Sequence, residues 1–211
     1  MTRTVAHKGA SPGRPASALQ LFPAQCGLAL VDVQEQLAAA MPEEPLRRHV
    51  GKMVLLIETA RRLQMPVLVS EQYAKGLGRT IPVLAEALRR LPPGSVHRFD
   101  KVDFDCTAVG AWRLAASASR RRQWIVFGME THVCVYQTAR SLVAMGLSVH
   151  VPADAVVSRW KSDWEVGLRL CDRAGAIVTS AEAAVFDLLG RSGTEAFDKL
   201  QIVIKRVSTR E

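Results

Sequence analysis

From residue 26 onward, short apolar runs alternate with longer stretches whose apolar positions recur every three or four residues. The short runs predict strands at 26–34 (CGLALVDVQ), 66–72, 95–101, 123–128, 148–154 and 175–180. Several are apolar on both faces, the pattern of strands buried in a parallel sheet. Between the first two, Leu46, Val50, Met53, Val54, Ile57, Ala60 and Leu63 form one stripe, which predicts a helix over 43–64 that stops before Pro66. A later helix is expected to start at Ser162, where Ser162 and Glu165 have capping-box spacing, to bury Trp164, Leu168 and Cys171, and to end at Gly175. Thr179 and Glu182 repeat the box before a helix near 180–190, and a short helix at 194–200 is expected to precede the apolar segment QIVIK. Strands alternating with helical segments predict an α/β domain with a parallel sheet and crossover helices.

No internal repeat and no Pro/Gly/Ser linker divides the chain after residue 25, and 211 residues suit one domain. We read 1–25 as an unstructured N-terminal arm and 26–211 as the folded domain. The arm holds Arg3, Lys8 and Arg14 and no acidic residue, since the first is Asp32. That composition is shared with transit peptides, so a cytoplasmic location is expected with a mitochondrial one as the alternative. Cys26, Cys106, Cys134 and Cys171 are scattered without metal spacing, as in a reducing compartment. No apolar run approaches the roughly 20 residues that cross a bilayer, so no membrane partner is expected. The net charge of +8 is spread over Arg61-Arg62, Arg89-Arg90, Arg120 to Arg122 and Lys205-Arg206, which reads as basic helix ends. With no phosphate-binding context around the GLG at 76–78, no nucleic-acid partner is expected.

Three polar residues close predicted strands or follow them directly, where open α/β sheets bind ligands. Asp32 ends LALV, Lys101 ends VHRFD, and Cys134 follows WIVFG at the start of a helix. A thiol there feels the positive end of the helix dipole, so its pKa is expected to fall from about 8.5 toward neutrality. Each residue alone has a plainer reading: a small core residue, a solvated carboxylate, a surface charge. Loop positions at strand ends add Gln34, Glu71, Tyr73, Glu130 and Thr131 as pocket candidates, with His132 beside the cysteine and Trp160 after the fifth strand.

Taken together, LALVDVQ, FDKVDFDC and GMETHVCVYQTA resemble the isochorismatase-like cysteine hydrolase family, in its order and spacing. SEQYAKGLGRTIPVL and TSAEAAVFDLL resemble its isochorismatase domain-containing subgroup, whose substrates are mostly unassigned. The resemblance implies a three-layer α/β/α fold, a six-stranded parallel sheet of order 3-2-1-4-5-6, and oligomers. It implies Asp32 as general base, Lys101 as its positioning cation and Cys134 as nucleophile. It further implies a cis peptide between Met129 and Glu130, and an oxyanion hole from the backbone amides of Glu130 and Cys134. The expected reaction is cleavage of a small amide-type substrate through a thioester, without a cofactor. The alternative is a catalytically silent, oligomeric interaction protein. Family nicotinamidases hold a metal through an Asp-x-His pair and a further His. Between Asp32 and Lys101 the histidines are His49, in a helix, and His97, in a strand, so no metal is expected. Exposure of the apolar QIVIK segment points to a homo-oligomer.

Overall fold

The computed structural model describes residues 19–208. Strands β1 (Cys26–Val31), β2 (Val67–Gln72), β3 (Val96–Lys101), β4 (Gln123–Met129), β5 (Ser148–Pro152), β6 (Val156–Val157) and β7 (Ile177–Thr179) pair in parallel throughout. Their order is β3-β2-β1-β4-β5-β7, with β6 pairing the end of β4. This is the expected six-strand path, with strands five and six of the sequence reading as β5 and β7. The added β6 is two residues long, too short to leave a periodic signal. Every residue of β1 and of β4 is buried, as their unbroken apolar runs require.

The helices are α1 (Glu35–Ala39), α2 (Glu43–Leu63), α3 (Ala74–Leu77), α4 (Pro82–Arg89), α5 (Gly110–Ala118), α6 (Tyr136–Ala144), α7 (Lys161–Arg173), α8 (Ala181–Leu189) and α9 (Glu195–Ser208). On one face of the sheet α2 packs against α4, α8 and α9; on the other α6 packs against α7, giving three layers. The stripe read from the sequence seats α2, whose Met53, Leu56, Ile57 and Ala60 are buried.

Four local expectations are corrected. Trp160, not a serine, precedes α7, and no side chain caps it, so the Ser162 box does not form. The cap of α8 is Ser180, which accepts the N–H of Ala183, one residue later than the Thr179 box placed it. QIVIK is no separate tail: α9 runs on through it, burying Ile204 and exposing Ile202. Residues 1–18 of the expected arm lie outside the described residues, and the rest is docked, with Leu21 buried and its N–H donated to Asp187 at 2.6 Å.

Candidate active site

β1 and β4 are neighbours, with Val31 opposite Gly128, and the helices change faces between them. Whatever follows each strand therefore enters the crevice at the point where strand order reverses. Asp32 follows β1 in a left-handed conformation (φ 50°), fully buried. Its carboxylate accepts the Ser70 hydroxyl on Oδ1 at 2.7 Å and the Lys101 ammonium on Oδ2 at 2.6 Å. Lys101 ends β3, two strands and about 10 Å away, and its long side chain crosses β2 to reach the carboxylate. The ammonium also donates to Gln72 Oε1 at 2.7 Å and to the Asp103 carbonyl at 3.0 Å. Burial alone would lower the pKa of Lys101; the Asp32 carboxylate, with the Cys106 and Cys134 thiols, outweighs it and holds the ammonium above its ordinary range.

Cys134 comes from the turn after β4. Gly128 has φ 127°, and a Cβ there would lie 2.1 Å from the Val31 carbonyl oxygen, so only glycine lets β4 end so close to β1. The Met129–Glu130 peptide is cis, and Thr131–Val135 forms a π turn that feeds α6. The Glu130 carbonyl accepts the N–H groups of Val133 and Val135 at 3.0 and 3.3 Å. Gly167 of α7 packs on this turn, with space so tight that a Cβ would lie 2.7 Å from the His132 nitrogen. The buried Cys134 thiol lies in the field of both members of the Asp32–Lys101 pair.

That setting reverses the expectation for the thiol. Burial first, then the negative charge of Asp32, push the Cys134 pKa up, and the opposing pull of Lys101 does not offset them. At rest the thiol keeps its proton, next to the group that could take it. A second thiol, Cys106, donates to Ser70 Oγ at 3.2 Å and is pushed up to about 11, mainly by burial. The chain Cys106–Ser70–Asp32 thus runs back from the carboxylate into the core.

The remaining candidates divide. Gln34 is a buried clamp, donating to the Gln72 and Gly78 carbonyls at 3.0 and 2.8 Å and accepting the Gln72 N–H at 2.7 Å, so its amide is spent on the backbone. Glu71 points away from Cys134. Alternation along β2 puts Ser70 and Gln72 on the Asp32 side, and Glu71 accepts instead from Thr80 (2.8 and 2.7 Å) and Arg79 (2.7 Å). Burial works to raise its pKa, but those hydrogen bonds hold it below the usual carboxylate range. Tyr73 is exposed and lines, with Lys101, a cavity of about 570 Å³. Thr131 is buried and donates its N–H to Ser158 Oγ at 3.1 Å, the same hydroxyl that meets His132 Nδ1 at 3.1 Å. The Glu130 carboxylate accepts both Nε and N–H of Arg159 at 3.1 Å. Trp160 is 68% exposed, not the buried anchor that its size suggests.

Ser70, Gln72 and Cys106 escaped the sequence reading. The first two carried a usable signal, since they share a strand face with one another and flank the rejected Glu71 in period two. Among the described residues no group of three or more His, Cys, Asp or Glu side chains is placed to hold a metal ion. Nor is any described helix long and apolar enough to cross a membrane.

Residues 26–183 match the model of the Isochorismatase domain family. Isochorismatase domain-containing protein 1 of Salmo salar is 36% identical over 185 residues, 88% of this chain and 62% of that protein, so the chain spans less than two thirds of this relative. The structure of MAR1 ribonuclease from Caenorhabditis elegans superposes with a TM-score of 0.80 at 34% identity, covering 88% of this chain and 92% of that one. The YcaC gene product of Escherichia coli, an octameric hydrolase of unknown specificity, shares the fold with a TM-score of 0.78 at 17% identity, covering 94% of this chain and all of that one.

Proposed function

The chain belongs to the isochorismatase domain family, and from that premise we propose that it is a cysteine hydrolase that cleaves a small amide-type C–N bond through a thioester on Cys134. The observation that carries this reading is the fully buried Asp32–Lys101 ion pair at 2.6 Å, with the buried Cys134 thiol in its field. Asp32 takes the thiol proton as Sγ attacks the carbonyl carbon, and the backbone N–H groups of Glu130 and Cys134 receive the oxyanion. Collapse breaks the C–N bond, and the amine leaves with the proton from Asp32. Water then attacks the thioester, giving one proton to Asp32 while the acid departs, and Asp32 returns that proton to Sγ. Lys101 holds the carboxylate in place between these transfers. No step needs a metal or an organic cofactor.

Two other readings are weaker. Ribonuclease activity, named for the nematode relative, finds support in the net charge of +8, but the arginine clusters lie at the C-terminal ends of α2 and α4 and in the turn between α5 and β4, at the opposite end of the sheet from Cys134. A silent interaction protein would have no use for a buried ion pair beside a thiol. Assembly into a homo-oligomer, as in YcaC, accompanies the proposal.

The test is a panel of small primary amides and N-carbamoyl compounds, with single-stranded RNA as the counter-substrate, followed by ammonia release and intact-mass spectrometry. An acyl adduct on Cys134 and at least a thousandfold loss of turnover in Cys134→Ala are expected, since removing a nucleophile leaves only binding and electrostatic contributions. Hydrolysis that survives Cys134→Ala, or RNA cleavage without amide turnover, contradicts the proposal.

A further inference from the structure

A second concave site lies on the opposite layer, sharing no residue with the surroundings of Cys134. It is a groove of about 810 Å³ with α2 as its floor and α4 and α9 as its walls. Its aliphatic lining is Leu46, Val50 and Val54 on the α2 floor with Val203 and Val207 on the α9 wall, and at Gly51 the space between the two helices is narrow enough that a Cβ would already touch Val207 at 3.4 Å. Val83 and Ile202, about half exposed, stand on the walls. The rim is cationic: Arg47, Arg61, Arg62, Arg90, Lys199 and Arg206 face the acids Glu43 and Glu58. At one end, Arg61, Arg62 and Arg90 surround the single carboxylate of Glu58, which accepts Arg61 Nε at 2.9 Å and lies 3.5 Å from Arg90. That end therefore keeps two positive charges in excess beside an apolar trough.

Shape and charge together select the occupant. Lining residues run along α2 from Glu43 to Arg62, about 28 Å at the helical rise. The apolar part of the lining on α2 is a single row at four-residue spacing, Leu46, Val50 and Val54, beside Val203 and Val207 of α9, with cationic side chains around it. The lining has no aromatic ring on which bases would stack, which disfavours RNA. Residues 1–18 contain no acidic side chain to meet a basic rim. We propose that this groove binds a single-chain fatty acid anion, with the polymethylene chain on the Leu46–Val50–Val54 floor and the carboxylate at the Arg62–Arg90 end, where guanidinium groups match a carboxylate in a fork.

Calorimetric titration of the full chain with dodecanoate below its micelle concentration tests this, beside dodecyl phosphate, dodecyltrimethylammonium and dodecanol. Saturable binding of one anion per chain, no binding of the cation and weaker binding of the alcohol are expected. Gly51→Leu, which fills the floor, and the double substitution Arg62→Glu/Arg90→Glu, which reverses the head-group end, each weaken dodecanoate by at least about tenfold, while Cys134→Ala binds as the parent does. Comparable binding of the cationic amphiphile, or full affinity in the charge-reversed double variant, overturns the proposal. So does binding of anionic vesicles or RNA without binding of monomeric dodecanoate, or self-association that Gly51→Leu abolishes.

Discussion

Asp32 answers to two neighbours at once, since the same carboxylate that keeps Lys101 charged keeps the Cys134 thiol protonated. Both side chains of the ion pair are fully buried, where the loss of one partner strands the other. Lys101→Met should therefore cost about 3–5 kcal/mol in chemical denaturation, far more than a surface lysine. A cost below about 1 kcal/mol would mean that the pair is solvated and weak. At this scale the sequence was informative in proportion to topology. Asp32, Lys101 and Cys134 could be named because the ends of parallel strands converge on one crevice. Glu71 was misjudged because a strand end does not say which face a side chain takes, and Ser70 and Gln72 were missed for the same reason. The raised thiol pKa was hidden because burial and the field of Asp32 are tertiary properties, and they overwhelm the helix-terminus effect that sequence position suggests.

At the scale of elements, the turn 130–135 is the part on which the site depends most. It is fixed from below by Gly128 against Val31, from the side by Gly167 of α7, and from above by Ser158 and Arg159 after β6. Gly167→Ala should push α7 and the turn apart by some tenths of an ångström, since its Cβ would sit 2.7 Å from backbone atoms of Thr131 and His132. We expect turnover to fall about 100-fold, as sub-ångström misplacement of reacting groups does, while the folded state survives with a lowered melting temperature. Undiminished turnover on the substrate found by the amide screen would show that α7 does not set the position of Cys134. The sequence announced α7 by its stripe of Trp164, Leu168 and Cys171, yet gave no sign that a glycine in that same stripe fits against the turn that carries Cys134. Helix ends were read less well than helix faces, because Ser162 and Thr179 match the capping pattern but packing sets where each helix begins.

For the molecule as a whole, buried thiols couple stability to pH. Cys26 and Cys171 are pushed up to about 12 and Cys106 to about 11 from an ordinary value of 9.0, in each case chiefly by burial, and Cys134 is raised as well. The folded chain thus binds these protons more tightly than the unfolded chain does. Their contribution is complete below about pH 9 and is lost as pH rises from there toward the folded values, at up to about 1.4 kcal/mol per unit for each thiol. Lys101, also raised, adds the same sign above its ordinary 10.5. Urea denaturation from pH 7 to 10.5 should be level at first and then fall steeply above pH 9, with a shallower fall in Cys26→Ala/Cys171→Ala. Equal slopes in both proteins would contradict the assignment of that loss to the thiols. The parallel sheet and its strand order were legible because buried strands and amphipathic crossovers leave strong periods. The two-residue β6 and the groove between α2, α4 and α9 were not, since one is too short for a period and the other exists only once three helices meet.

The central claim, that Asp32 holds the Cys134 proton at rest and takes it for catalysis, is tested most directly by the rate of Cys134 alkylation against pH. Peptide mass spectrometry would follow the parent protein and Asp32→Asn, with amide turnover measured on the same samples. In the parent, alkylation should be slow below pH 9 and keep rising beyond it. In Asp32→Asn, with the carboxylate gone and Lys101 left beside the thiol, alkylation should begin at lower pH while turnover collapses. Alkylation of the parent that already levels off near neutrality, or an Asp32→Asn profile that matches it, would contradict the account.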